Sequence, residues 1–393
     1  MPERRYLDQN PWIRFDYRTD LNLLWAGLGE AYSKCQHLAG TPLKPSVVRD
    51  LSSIYLARGA LASTAIEGNT LTEEQVQLML DGQLRLPASQ QYLEQEVRNV
   101  IDAIVAIQRD AKTGHAPFTI SEGWIRQQNR LVLRGLETPT HVVPGEYTST
   151  QLVVGPYKAA PPEDVSYLMG KLVEWLNTTW LTPAQDSTIS RPERFYWAFF
   201  AAVLGHLYLA WIHPFGDGNG RTARLLECAI LANSGCVPDI ATNLLSNHYN
   251  LTRARYYERL DRASHAADGV TEFVRYATAG FVDLIRQQID QIQQMQRQIA
   301  WESYVFEAYR DDSPAGPMKE RRRRVALALP EEEWLSSRDI QNLSPDIARS
   351  YATHGQRTCT RDLNDLVERG LAVKQQSKYR SGISVMDAFV PTV

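Results

Sequence analysis

The residues with the most chemical promise stand in one stretch between two apolar runs: His213, Pro214, Phe215, Gly216, Asp217, Gly218, Asn219, Gly220, Arg221, Thr222, Ala223 and Arg224. An imidazole titrates near neutral pH, so His213 is a candidate general base for a hydroxyl nucleophile. Glycines at 216, 218 and 220 permit positive φ and let backbone N–H groups converge. A helix that starts near Gly220 aims its free N–H groups and positive dipole end at the same spot. Together these make an anion nest suited to phosphate oxygens. Arg221 and Arg224, three residues apart, share a helix face and offer two guanidinium forks. Asp217 is a hard oxygen ligand beside the nest, suited to Mg²⁺ carried in with a nucleotide. Phe215 is expected to point inward and anchor the loop. The plain reading, a satisfied core histidine, fits His206 within the apolar run; at His213 a base, an acid, an anion nest and two arginines coincide. The chain has neither a P-loop G-x-x-x-x-G-K-[ST] nor a kinase-type H-R-D with D-F-G.

The elements that must position these groups read as mainly helical. Pro214 disfavours helical geometry at His213, so the apolar run Phe195–Ile212 should stop there. That run is the one segment that invites a membrane reading. Its shortness, its Gly205 and His206 and the polar loop after it make it a buried core helix, and no membrane partner is expected. Val47–Ile66 has apolar residues at helical spacing and a stop at Gly68 and Asn69, and Thr72 with Gln75 marks the next helix start. Tyr92–Ile107, Ser121–Leu133 and Val165–Asn177 are further helices, the last after a loop closed by Pro161 and Pro162. Turn chemistry from Thr138 to Gly145 leads into a short β-prone run, Gln151 to Gly155. By pattern alone a lone hairpin in a helical chain is more often a loop ornament than a platform that pairs with a partner strand. Ile285, Ile289 and Ile292 within Phe281–Arg297, continued by Ile299, form a short seam, either packed on its own domain or serving as a homodimer contact or an interdomain strut.

The central stretch resembles the Fic family motif H-x-F-x-[DE]-G-N-G-R-x-x-R at every defined position. Fic proteins are mostly helical enzymes that typically transfer AMP from ATP to a hydroxyl of a target protein, releasing pyrophosphate. The resemblance implies His213 as general base, Asp217 on Mg²⁺, Gly218, Asn219 and Gly220 on the phosphates, and Arg221 and Arg224 on the distal ones. Gly145 to Tyr147 and Leu152, Val153, Val154 and Gly155 resemble the family's flap, the hairpin that aligns a target strand beside the nucleotide. Tyr256, with Tyr257, falls where family members line the adenine pocket. Thr148 departs from the pattern, since family members often carry Arg there. The likeness covers roughly residues 45–285.

Ser63 to Asn69 is similar to the family's inhibitory motif [ST]-x-x-x-E-[GN]. Glu67 sits in the last turn of its helix, where the dipole disfavours an anion by ~0.3–1 kcal/mol, so a cation is expected beside it. The resemblance nominates Arg224. Ser63, one turn earlier on the same face, either orients Glu67 or meets the anion loop. The implied mechanism is competition: with Arg224 held by Glu67, ATP binds with its α-phosphate turned from the in-line path.

The 393 residues, 44% apolar, 22% charged and 9% aromatic, have an ordinary globular composition of two or three folded units. The net charge of −3 argues against a protein that coats nucleic acid over its whole surface. Four scattered cysteines without a C-x-x-C pair read as reduced thiols, and no secretory stretch precedes Pro11, so a cytoplasmic setting is expected. A linker at Ser313 to Pro317 marks a boundary, after which come the basic run Arg321 to Arg324, two short helices and a turn-rich strand pair, Lys374 to Val390; the helices and this β-wing resemble a winged-helix (α+β) domain. Residues 317–393 carry 13 basic and 10 acidic side chains. Thr358–Arg369 would be its recognition helix, with Arg357 and Arg361 near the start and Lys374, Lys378 and Arg380 in the wing. The expected organisation is an N-terminal helical region (1–110) with the inhibitory helix, a Fic core (111–285), a connecting helix and linker (286–316) and the winged-helix-like domain (317–393). The expected activity is protein adenylyltransfer with ATP and Mg²⁺, restrained by Glu67, on an unidentified target or on the protein itself. The alternatives are removal of AMP by the same site, with Glu67 activating water, and a nucleotide-sensing regulator that binds DNA through residues 317–393.

Overall fold

A computed structural model describes residues 4–18, 24–114, 116–310 and 316–387. The chain divides into two units, 1–289 and 290–393. The first begins with α1 (Tyr6–Gln9), α2 (Trp25–Ala39), α3 (Pro45–Ala65), α4 (Glu73–Leu80), α5 (Gln91–Thr113) and α6 (Glu122–Val132). A hairpin of β1 (Val153–Val154) and β2 (Tyr157–Lys158) follows. Then come α7 (Pro162–Trp175), α8 (Thr182–Gln185), α9 (Arg191–Ile212), α10 (Asn219–Asn233), α11 (Leu244–Leu251), α12 (Arg253–His265) and the long α13 (Gly269–Glu307), within which the two units meet in sequence.

The centre of the first unit is α9. Ser190 opens it with a capping box to Glu193, and nearly every side chain from Phe195 to Ile212 is buried, as expected of a helix apolar on all sides. It is long and apolar enough to cross a membrane, but 89% of that window is buried within the fold, in line with the core-helix reading. Its main neighbour is α10, which also packs against α5 and α6. Ala57 and Ala60 of α3, Val97, Val100 and Ile104 of α5, and Leu225 and Ala229 of α10 share one core. That packing brings the end of α3, with Glu67 just beyond it, over the start of α10.

Most expected elements are present with shifted ends. The capping box Thr72–Gln75 forms as read. Helix α5 runs on to Thr113, and Pro162, expected to close a loop, instead opens α7, since proline suits the first helical turn. Each hairpin strand has only two residues, and Gly155 takes φ 57° at the first position of the two-residue turn. Ile285, Ile289 and Ile292 are already buried within the chain, so that part of the seam is not offered to a second copy.

The second unit continues from α13 through α14 (Pro317–Ala328), β3 (Leu335–Ser336), α15 (Ser337–Gln341), α16 (Pro345–Tyr351) and α17 (Gln356–Glu368) to β4 (Ala372–Gln375) and β5 (Lys378–Ser381). The strands form an antiparallel sheet in the order β3-β5-β4, one strand more than the expected pair. The division between units falls ahead of the expected linker, because Trp301 and Val305 of α13 and Tyr309 just beyond it pack into the core with Val325, Leu363 and Tyr379. Residues 1–110 and 111–285 lie together in the first unit. Ser313 to Ala315 of the linker and the end of the expected strand pair, past Asp387, lie outside the described residues. Arg321 and Arg322 are buried on Asp362, so half of the four-arginine run is structural.

Candidate active site

Helix α9 ends where Pro214 requires it to end. His213 caps it in the left-handed region, φ 52° and ψ 58°, so the imidazole leaves the helix axis and faces the turn. Its Nδ1 lies 3.3 Å from the Ala210 carbonyl, which leaves Nε2 as the basic nitrogen. Burial pushes the imidazole below the ordinary histidine value, against the pull of the Ala210 carbonyl, Glu67 and Asp217.

The turn is braced from inside. Phe215 is fully buried, as expected, and Asn219 clamps its backbone: Phe215 N–H donates to Asn219 Oδ1 at 2.9 Å, and Asn219 Nδ2 donates to Phe215 O at 2.6 Å. Asn219 therefore offers an anion only its backbone, not its amide. Gly218, φ 76°, is the N-cap of α10 and has no side chain to cap the free N–H groups. Asn129 of α6, not singled out in the sequence, donates to Asp217 O at 2.9 Å and accepts from Gly145 N at 2.8 Å, tying the turn to the loop before the hairpin.

The two arginines have different surroundings. Arg224, 2% exposed, donates from Nη2 to Glu67 Oε1 at 2.6 Å and to Ser63 O at 2.7 Å, and from Nε to Ser63 Oγ at 3.0 Å. Ser63 thus meets the arginine rather than orienting Glu67. Burial pushes the Glu67 carboxyl up, but the charge and hydrogen bond of Arg224 outweigh it and hold it below the ordinary carboxylate range. A Cβ on Gly220 would overlap Glu67 Oε1, so the carboxylate rests against the nest itself. Arg221 is buried too, but paired to Glu96 of α5 and, at 3.1 Å, to Asp217 Oδ1. It holds the turn together and does not face the cleft. Glu96 also accepts from Asn69 Nδ2 at 2.9 Å, two residues past Glu67.

A cleft of about 420 Å³ opens between these groups and the hairpin, lined by His213, Gly220, Arg224, Glu67, Tyr256 and Tyr257, with Val154 and Gly155 at its rim. Tyr256 is buried, its hydroxyl 2.9 Å from His206 Nε2, while Tyr257 is exposed. His206 is the core histidine expected. Leu152 is half-buried, and Val153 and Val154 are exposed as an unpaired edge. The side chain of Asp217 is nearly half exposed, and the described residues hold no cluster of three or more metal-ligating side chains. One accessible carboxylate beside an anion nest suits Mg²⁺ that arrives with phosphates and keeps its waters.

Residues 119–231 match the Fic/DOC family. The chain carries a Fic domain. Protein adenylyltransferase Fic of Nematostella vectensis is 32% identical over 214 residues, which cover 54% of this chain and 44% of that one. Protein adenylyltransferase fic-1 of Caenorhabditis elegans is 32% identical over 240 residues, 61% of this chain and 42% of that one. The chain thus spans less than half the length of these curated relatives. Among solved structures, a Fic family protein from Desulfovibrio desulfuricans G20 aligns with TM-score 0.53 at 24% identity, covering 93% of this chain and 97% of that one. Residues 134–508 of Fic-1 from C. elegans align with TM-score 0.53 at 24% identity over 70% of this chain and 74% of that one. The helical Fic fold of the domain is therefore shared with both.

Proposed function

We propose that this protein transfers AMP from ATP to a hydroxyl of a protein side chain, and that Glu67 restrains it. The observation that carries the reading is the meeting of Arg224 and Glu67 at the mouth of the nest, inside a cleft that also holds His213 and is rimmed by the hairpin. The triphosphate lies along the backbone N–H groups at Gly218 to Gly220, with Arg224 on its distal end once Glu67 has withdrawn. His213 Nε2 takes the proton of the incoming hydroxyl. Its oxygen bonds to the α-phosphorus as the bond to the β-phosphate bridge breaks, and pyrophosphate leaves. Asp217 would hold Mg²⁺, which neutralises triphosphate charge. The exposed edge of β1 would pair with an extended target segment and deliver the hydroxyl to the α-phosphate, where orientation is worth ~7–11 kcal/mol.

Mass spectrometry of purified Glu67→Gly protein after incubation with ATP and Mg²⁺ tests this. A gain of one AMP on the protein or on added lysate proteins is expected. No gain, or release of AMP from a pre-adenylylated protein by the parent chain without ATP, overturns the transfer reading, and the second outcome identifies the reverse reaction.

A second reading concerns the C-terminal unit: duplex DNA as a partner of residues 317–393. Arg357 and Arg361 are exposed on α17 and form no ion pair among the described residues. Arg357 also sits in the first turn, where the dipole disfavours a cation and a phosphate would relieve it. Lys374 of the β4–β5 hairpin reaches Asn364 at 3.2 Å, so helix face and hairpin are continuous. Binding of the full chain to a labelled duplex across a salt series is expected to weaken uniformly in Arg357→Ala/Arg361→Ala, with a salt slope lower by about 2. No binding at low salt, or an unchanged slope, overturns it.

A further inference from the structure

The hairpin is too small to hold itself. Two strands of two residues each bury little, and an isolated two-stranded ribbon is marginal in water at best. One of its edges nevertheless has to stay open and in place if a target strand is to dock there. What fixes it comes from residues 4–15.

That segment is anchored at both ends. Tyr6 N–H donates to the buried carboxylate of Asp164 at 2.9 Å, and Arg4 pairs with the same Asp164 and covers the Tyr167 ring. At the other end Ile13 is buried and Phe15 packs on Trp175 and Tyr208. Between the anchors, Asn10 turns its amide onto β2, and Gln9 turns its amide onto Ala159 just past it, a carbonyl that also accepts from Gln151 ahead of β1. Asn10 Nδ2 donates to Lys158 O at 2.9 Å, and Gln9 Nε2 donates to Ala159 O at 2.7 Å. Asn10 is 0% exposed, so water cannot replace its bond. The same strand is held from below by Tyr157, whose hydroxyl donates to Trp211 O at 2.7 Å, in the last turn of α9. The carbonyl of Lys158 faces away from β1, and Asn10 occupies the position a further strand would take. β2 therefore has its outer edge capped, while β1, with Val153 and Val154, is left as the open one.

We propose that residues 4–15 are a strap whose Gln9 and Asn10 are positioning residues for the flap: Asn10 caps the outer edge of β2, Gln9 braces the base of the hairpin at Ala159, and together they hold β1 as the edge offered to the target strand. The device acts on protein docking and not on nucleotide binding, because neither residue lines the nucleotide cleft. It rests on the flap's role in the transfer reaction proposed above. A ligand or partner that takes hold of residues 4–12 would therefore silence transfer to protein while leaving the nucleotide site intact.

The test is hydrogen–deuterium exchange on the full chain, read by mass spectrometry, for Gln9→Ala/Asn10→Ala against the parent. Amides of residues 152–160 are expected to exchange about tenfold faster, those of α10 at an unchanged rate, and ATP–Mg²⁺ affinity in the Glu67→Gly background within about twofold. If the double variant does not fold, Gln9→Ala alone, which keeps the buried Asn10, is expected to accelerate the same peptides about threefold. Unchanged exchange in residues 152–160 overturns the strap, and so does equal acceleration throughout α9 and α10, which would mean general loosening. The exchange readout needs neither ATP nor a target. Faster flap exchange without AMP transfer by Glu67→Gly would therefore sink the transfer reading and leave the strap standing.

Discussion

Arg224 Nη2 stands 2.6 Å from Glu67 Oε1, and that carboxylate leans over Gly220 at the first turn of α10. One acid thus occupies both things a triphosphate would need, the guanidinium and the space above the free N–H groups. Restraint by Glu67 is then displacement of the ligand as well as pairing of the arginine.

Glu67→Gly should accordingly tighten ATP and raise AMP transfer together. A charge-assisted hydrogen bond contributes about 1.5–3 kcal/mol net, so removing the competitor should improve ATP affinity by about 10- to 100-fold. Calorimetric titration with ATP–Mg²⁺ checks the affinity and transfer of label from α-³²P-ATP checks the rate. Equal affinities for the parent and the variant would exclude the competition.

Ser63→Ala should act in the same direction but more weakly. It removes the Nε to Oγ bond and leaves the bond from Nη2 to the Ser63 carbonyl, so Arg224 keeps its place and loses one of its three hydrogen bonds to Ser63 and Glu67. A neutral bond of this kind is worth about 0.5–1.5 kcal/mol, which predicts a transfer rate between those of the parent and Glu67→Gly. Activation equal to that of Glu67→Gly would make Ser63, not the acid, the main restraint.

These residues were legible because their chemistry is local. From His213 to Arg224 spacing alone sets the turn, the nest and the shared helix face, and Ser63 and Glu67 stand one turn apart. What the sequence hid is long-range. Arg221, read as a phosphate ligand, is paired with Glu96, 125 residues away. The hint was present, since Glu96 interrupts the apolar stripe of Leu93, Val97, Val100 and Ile104, but an acid on an apolar face does not name its partner. Asn129 likewise lies on the buried face of α6. Gln9 and Asn10 left no signal, because side chains that bond to backbone carbonyls follow no residue pattern. The unit division falls ahead of the Pro-Gly linker for a related reason: the linker is conspicuous in sequence, whereas the packing of Trp301 and Tyr309 is tertiary.

His213 supplies a pH signature. Burial lowers its pKa, so the neutral imidazole persists on the acidic side of the ordinary histidine value of 6.5. In Glu67→Gly a carboxylate that favours the protonated ring is gone, and the pKa falls further. The acid limb of kcat/KM for transfer by Glu67→Gly, which reports the free enzyme, should therefore lie below 6.5, and a limb above it would argue against a buried base. His213→Ala in the same background should lose transfer by about 10²–10⁴-fold while ATP affinity holds, since the imidazole takes a proton and does not carry the phosphates.

Arg221 separates a structural arginine from a ligand-binding one. Its guanidinium is buried between Glu96 and Asp217, and Glu96 is 9% exposed. Arg221→Ala would leave the Glu96 charge buried with only Asn69 to answer it, and breaking such a pair costs about 3–5 kcal/mol. Urea denaturation should show that loss. Replacing both partners, Arg221→Met with Glu96→Leu, removes the stranded charge along with the pair and should recover most of the stability, because a buried ion pair and a well-packed apolar pair are often of similar stability. If Arg221 were instead a phosphate ligand, its alanine variant would fold normally and fail to bind ATP even with Glu67 removed. Arg224→Ala is the variant expected to lose ATP in that background, since Arg224 is the arginine that lines the cleft.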